Sequence, residues 1–429
     1  MALIKKAVTG MRDILPGEME LRSRLMGIIR ETYAKYGFTE IETPVCEHIE
    51  NLCSKQGGDN EKLIFRILKR GEKLQKEAEA AAAGNFDGLC EEGLRYDLTL
   101  PLSRFYAANM AQLPQPFKAL QMGPVFRADR PQKGRFRQFM QCDIDILGDA
   151  TNLAEKELIL ATTEALDNMG FGKYDFRVVI NDRRFLRAMI GYAGLPSEEA
   201  DKILVILDKA DKIGADGVDE ELRSCGYEEE GIRRLRGLFE GLGEDEDSVE
   251  ILASRIGSEE ALAAGENLSD IMRSVSGVKG RSIRLCFDPT LVRGMGYYTG
   301  TIFEIRVDCF GSSVGGGGRY DKMVGNFIGQ NVPAVGFSIG FERIMTLLME
   351  DGADLTDRAE KSAWLIEKGV EPDRLSEIFS EAAAERAGGS RILMVWMAKN
   401  KKFQKENLTK EGYTLFREFY KEEWKHEGV

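Results

Sequence analysis

Apolar residues recur at helical spacing over Glu18–Tyr36, where Leu21, Leu25, Ile28, Ile29 and Tyr33 share one face and Gly37 supplies a stop. A strand is predicted next, Phe38–Thr43, ended by Pro44. Lys73–Ala83 reads as a charged, alanine-rich surface helix, Leu94–Leu100 as a strand and Leu102–Met110 as a helix. Leu153–Met169 has a clean helical period, and Phe176–Ile180 has the composition of a strand. From about Arg183 to Val278 the pattern is helical, acidic and interrupted by glycine, which predicts an inserted helical subdomain. Strands resume at Ile283–Phe287 and Gly300–Val307, and Ala334–Leu348 predicts a strand running into a buried helix. The polar stretch from Asp351 to Lys361 reads as a linker. Beyond it, strands (Ala363–Ile366, Ile392–Met397, Tyr413–Phe419) alternate with helices (Asp373–Arg386, Lys402–Lys410), predicting a small α/β domain.

One segment departs from ordinary surface patterning. Between Phe126 and Gln141 lie Arg127, Arg130, Lys133, Arg135 and Arg137, with Pro131 and Gly134 where a turn would fall. Alternation of Val125, Arg127 and Asp129, then of Arg135, Arg137 and Phe139, predicts two strands around a basic loop. Arginine offers a planar fork for phosphate or carboxylate. The loop lacks GxxxxGK(S/T), so a phosphate grip here uses side chains rather than a P-loop.

Net charge is −12, but much of the acid falls between Glu198 and Glu266, and local basic patches rather than the total bind phosphates. The seven cysteines include no CxxC pair, which favours a reducing cytoplasm and argues against a zinc site. With only His48 and His426, neither a histidine-based triad nor a His-rich metal site is expected. No apolar run approaches the roughly 20 residues of a membrane span, and the N-terminus lacks the apolar core of a secretion signal.

Four further segments carry candidate chemistry. Leu291–Glu304 sets Arg293 beside glycine and follows it with Tyr297 and Tyr298, a flat wall with hydroxyl handles. Gly315–Gly318, continuing into Arg319-Tyr320-Asp321, is either a flexible loop or a strand against which something must lie closely. Gly336–Ile344 is a glycine-punctuated strand leading to Arg343, which is alternatively a helix arginine paired with Glu342 or Asp321. Lys399–Lys405 is a helix start in solvent or an RNA backbone contact.

Together these segments resemble the class II aminoacyl-tRNA synthetases, and within them the histidyl-tRNA synthetase family. Gly10–Pro16 looks like that family's opening. Gly37–Pro44 is similar to motif 1 of the dimer interface, the basic hairpin to motif 2, and Val335–Ile344 to motif 3. The Arg293–Glu304 segment and GGGGRYD resemble the two histidine-specific signatures. Gly296 stands where that signature often has an acid, and Asp129 where glutamate is frequent.

The resemblance implies an α+β fold, an antiparallel sheet flanked by helices and not a Rossmann fold. Residues 1–182 and 279–350 would form the catalytic core, 183–278 a helical insertion, 351–361 a linker, and 362–429 a shortened C-terminal α/β domain able to bind the anticodon. It also implies a cytoplasmic homodimer that uses ATP and Mg²⁺ to join L-histidine to tRNA(His). Arg127 and Arg293 would be the catalytic cations. Arg127, Arg135, Arg343 and Asp129 would bind ATP. Asp97, Leu98, Thr99, Arg127, Gln141, Asp145, Arg293, Tyr297 and Tyr298 would bind histidine, and Gln132 would lie near the tRNA acceptor end. Read without the resemblance, Asp97 is a strand-end cap and Asp145 a surface acid. The rival function is a non-catalytic, synthetase-like regulatory subunit of ATP phosphoribosyltransferase.

Overall fold

In a computed structural model, the described residues are 3–53, 58–82, 84, 86–131, 134–279, 283–292, 297–352 and 361–421. The chain divides into two compact units, residues 1–13 with 26–352, and residues 14–25 with 353–429.

The larger unit is built on an eight-stranded sheet. In spatial order its strands are Thr39–Glu40, Phe117–Phe126, Gln138–Leu147, Ala334–Ile339, Phe310–Arg319, Thr301–Val307, Phe176–Asp182 and Leu285–Phe287. The five inner pairings are antiparallel and the two outermost are parallel. The sheet is therefore mixed at its rims, where the resemblance implied antiparallel pairing, and its helices lie outside the strands of an α+β fold. Its spine is the ten-residue hairpin pairing Phe117 with Leu147 through Phe126 with Gln138.

Three predictions about local structure need correction. The basic residues do not sit on regular strands. The ladder stops at Phe126 and Gln138, and one further bond, from Arg127 N–H to the Arg137 carbonyl (2.8 Å), closes the base of a loop. Of the strand predicted over Phe38–Thr43, only Thr39–Glu40 pairs. Leu94–Leu100 is not a strand: one ends at Leu94, and a helix runs Thr99–Asn109. Asp97 sets that start by accepting from Leu100 N–H at 3.1 Å.

The insertion comprises six helices between Arg183 and Ser276. Its entry is fixed locally, because the Asp182 carboxylate accepts from Arg184 N–H at 2.8 Å and forks with the Arg184 guanidinium. Gly194, at φ 74°, ends the first helix in the left-handed region. The glycine run lies in a strand, not a flexible loop. A Cβ on Gly317 would stand 1.9 Å from the Gly336 carbonyl oxygen, and one on Gly318 2.6 Å from that of Thr301. What lies against these glycines is the neighbouring backbone.

The smaller unit carries a three-stranded parallel sheet, ordered Arg391–Trp396, Lys361–Ile366, Tyr413–Phe419, with helices Pro372–Ala387 and Lys401–Lys410. Alternation along Lys361–Ile366 sends Trp364 and Ile366 into one apolar cluster and Ala363 and Leu365 into another. Among the described residues, no helix is long and apolar enough to cross a membrane.

Candidate active site

The strand Gln138–Leu147 organises the site. Its side chains alternate, so Cys142, Ile144 and Ile146 enter the core while Gln141, Asp143 and Asp145 line a cavity of about 370 Å³. Facing them across the ladder are Ser338, opposite Asp143, and Gly336, opposite Asp145. A Cβ on Gly336 would stand 1.9 Å from Asp145 Oδ1, so a side chain there would displace the carboxylate.

Asp145 is buried, not a surface acid. It accepts from the Tyr320 hydroxyl at 2.6 Å. Loss of solvent pushes its pKa up to about 7, against the Tyr320 bond and with some help from Asp97. Asp143 and Asp97 are also buried, and desolvation raises both; Asp145 adds to the rise at Asp143. Asp97 lines the cavity while capping the Thr99–Asn109 helix, so the cap reading is correct in kind but belongs to a helix. Thr99 lines the cavity too. Leu98 is buried, and its carbonyl accepts from Gln121 at 3.2 Å.

Tyr297 and Tyr298 form one wall, their ring centres 4.6 Å apart, with Tyr320 edge-on to Tyr297 at 6.3 Å. At the hairpin-loop end come the cations. Arg127 lies over Tyr96 (4.3 Å) and Phe139 (5.0 Å) and donates to the Tyr96 carbonyl at 3.2 Å, which fixes its guanidinium. Arg135 pairs with Asp129 at 3.0 Å. Arg343, in the first turn of helix Phe341–Glu350, donates to the Ser313 carbonyl. Glu342 bonds Arg12 (3.3 Å) and Met140 N–H (3.2 Å), tying the N-terminal segment to two walls of the cavity.

The cavity thus gathers Asp97, Thr99, Arg127, Asp129, Arg135, Gln141, Asp145, Tyr297, Tyr298 and Arg343. Arg293 and Gln132 fall outside the described residues. The sequence reading gave no role to Asp143, Ser338, Tyr320, Tyr96 or Phe139, all of which line the cavity. The period-two run Gln141-Cys142-Asp143-Ile144-Asp145 was the available signal for Asp143.

A mainly antiparallel sheet whose hairpin loop and following strand–helix both deliver arginines to one cleft, beside buried acids, defines a class II aminoacyl-tRNA synthetase. The model for "Histidyl-tRNA synthetase" matches residues 10–77 and 91–344. The histidine–tRNA ligase of Leifsonia xyli subsp. xyli (strain CTCB07) is 43% identical over 416 residues, 95% of this chain and 93% of that protein. A solved histidyl-tRNA synthetase from Nostoc sp. PCC 7120 matches with a TM-score of 0.78 at 26% identity, covering 96% of this chain and 90% of that one. A structure from Bacillus halodurans C, described as an ATP phosphoribosyltransferase regulatory subunit/histidyl-tRNA synthetase, also reaches 0.78, at 22% identity over 98% and 99%; that likeness shows the fold alone. The chain belongs to the histidyl-tRNA synthetase family, as an enzyme of the histidine–tRNA ligase kind.

Proposed function

We propose that this cavity activates L-histidine with ATP and then passes the histidyl group to tRNA(His). The histidine carboxylate attacks the α-phosphorus, forming histidyl-adenylate and releasing pyrophosphate; a terminal ribose hydroxyl of the tRNA then displaces AMP. The transition state of the first step spreads negative charge over phosphoryl oxygens, so arginines held before substrate arrives do most of the work. Arg127 bridges the substrate carboxylate and the α-phosphate, and its stacking on two rings supports a fixed position. Arg293 approaches the same phosphate, while Arg135, with Asp129, and Arg343 take the outer phosphates. Asp145 accepts an imidazole N–H between the Tyr297 and Tyr298 rings, and Asp97 and Thr99 take the α-ammonium.

Magnesium fits as an ion carried by the triphosphate. The carboxylates at that end, Asp129 and Glu342, already pair with arginines, and no group of three acids among the described residues could hold a metal. When bound, such an ion would take phosphate oxygens and water as its main ligands and would shield the triphosphate charge. Gln132 is assigned, from its place in the motif 2 segment of the sequence alone, to the tRNA acceptor end. The exposed Thr39–Glu40 strand at one end of the sheet supports a homodimer through motif 1, in the cytoplasm. In the smaller unit, the Lys401–Lys410 helix start, with Phe403 59% exposed, supports a tRNA contact.

The observation that carries this reading is the convergence of three arginines, five acids and four tyrosines in one cavity. It favours the ligase over the regulatory subunit, which needs no such set. Full-length protein with ATP, magnesium, histidine and labelled pyrophosphate should exchange label into ATP. Arg293→Ala should lower exchange about 100-fold, on the order of 3 kcal/mol of barrier. Absence of exchange in the unaltered protein would refute the reading.

A further inference from the structure

Gln141 ends in an amide with two N–H donors and one oxygen acceptor. Its Nε2 donates to Asp143 Oδ2 at 3.2 Å and to Ser338 Oγ at 3.1 Å. The Ser338 hydroxyl in turn donates to Asp143 Oδ1. Asp143 accepts twice and so sets the direction of the whole chain of bonds: its Oδ1 takes the Ser338 hydroxyl proton, which leaves the Ser338 lone pair for Gln141, and its Oδ2 holds the amide nitrogen toward itself. The amide oxygen is left over. Gln141 is 9% exposed, and its Oε1 is buried without a hydrogen-bond partner. A buried acceptor with no donor is costly and points to a ligand that brings one.

We infer that Asp143 and Ser338 are positioning residues that lock the Gln141 amide with its oxygen toward the cavity, where it accepts from the primary ammonium of the amino-acid substrate. This rests on the proposed histidine-binding role of the cavity. An ammonium has three N–H donors, and Asp97, Thr99 and Gln141, which line the same cavity, can offer it three acceptors. Asp143 and Ser338 line the same cavity, and the role inferred for them is exerted through Gln141. They act through the orientation of a neutral group that could otherwise turn its amide nitrogen toward the ammonium and repel it.

The test uses two partial ligands on the full chain, titrated calorimetrically: histamine, which keeps ring and ammonium, and imidazole-4-propionate, which keeps ring and carboxylate. Ser338→Ala leaves every charge in place, and Asp143→Asn removes the group that sets direction. Both variants should weaken histamine by about 10-fold or more, the scale of one charge-assisted hydrogen bond, and leave imidazole-4-propionate within about twofold. In exchange assays the KM for histidine should rise and that for ATP should not. Parallel weakening of both ligands, or no weakening of histamine by Ser338→Ala, would overturn the inference, as would failure of the unaltered protein to bind histamine. Lack of exchange in an unaltered protein that binds both ligands would instead refute the proposed activity.

Discussion

Replacing Asp145 by asparagine should stabilise the protein while removing its grip on histidine. Burial moves this carboxyl from 3.8 to about 7. At about 1.4 kcal/mol per pH unit, ionising it in the folded protein is about 4 kcal/mol less favourable than in the unfolded chain. The sign follows from proton counts. Below about pH 4 the group is protonated in both states and costs nothing. Between 4 and 7 the unfolded chain loses its proton while the folded protein keeps it, so stability falls as pH rises. Above 7 the penalty is complete. Asparagine never ionises, and its amide oxygen can still accept from the Tyr320 hydroxyl. The gain from Asp145→Asn should therefore be about 2 kcal/mol at pH 5.5 and about 4 kcal/mol at pH 8. Urea unfolding of the larger unit at both pH values measures it. The same variant should lose about 10- to 100-fold in kcat/KM for histidine, the range for a hydrogen bond to a charged group. A gain equal at both pH values, or none, would show that Asp145 does not ionise against its burial.

Gly336→Ala should raise the KM for histidine by about 10-fold or more with the KM for ATP unchanged, because the added carbon falls on Asp145 Oδ1; unaltered histidine affinity would count against the closeness of that pair. Arg319 lies in the glycine-rich signature but forks onto buried Glu155, at 2.6 Å through both Nε and Nη2, and caps the Asp149 and Thr151 carbonyls. Arg319→Ala should destabilise by about 3–5 kcal/mol, since it strands a buried charge. The protein that remains folded should keep its histidine KM; a selective loss of histidine affinity would assign Arg319 to the site instead.

Much of the helical architecture was legible because long amphipathic periods survive any tertiary context. Leu21, Leu25, Ile29 and Tyr33 are buried as their spacing required, and Ile28, predicted on the same face, is half-buried. The C-terminal alternation of strands and helices was legible to within two residues at each boundary. The strand predicted over Leu94–Leu100 failed because its apolar content belongs to a helix start, and Asp97, the residue that reveals it, also serves the cavity. The hairpin was placed correctly and its arms were drawn too long. Alternation continues past Phe126 and Gln138, but the basic residues face a loop, where alternation has no structural meaning. Ser338 and Tyr320 could not be read in advance. Each matters through a partner nearly 200 residues away, and only sheet register brings Ser338 beside Asp143 and the Tyr320 hydroxyl onto Asp145.

On the proposed roles, the order of groups along the loop and the strand that follows it accounts for the orientation of the substrate. Arg135 lies in the loop before the strand, and on the strand Phe139, Gln141, Asp143 and Asp145 follow one another toward the sheet interior, where alternate residues advance about 6.6 Å. Phosphate-binding charge therefore comes first, a carbonyl acceptor second, and buried acids last. A zwitterionic amino acid placed along this line has its side chain at Asp145 and its ammonium at Gln141. Its carboxylate then lies toward Arg127, the cation whose charge opposes the raised pKa of both Asp97 and Asp143. Reversing the substrate would set a carboxylate against buried acids and an ammonium against arginines. The three acids weaken the empty protein, and the same burial that makes them costly makes the reversed orientation prohibitive. Orientation and instability thus have a single physical source.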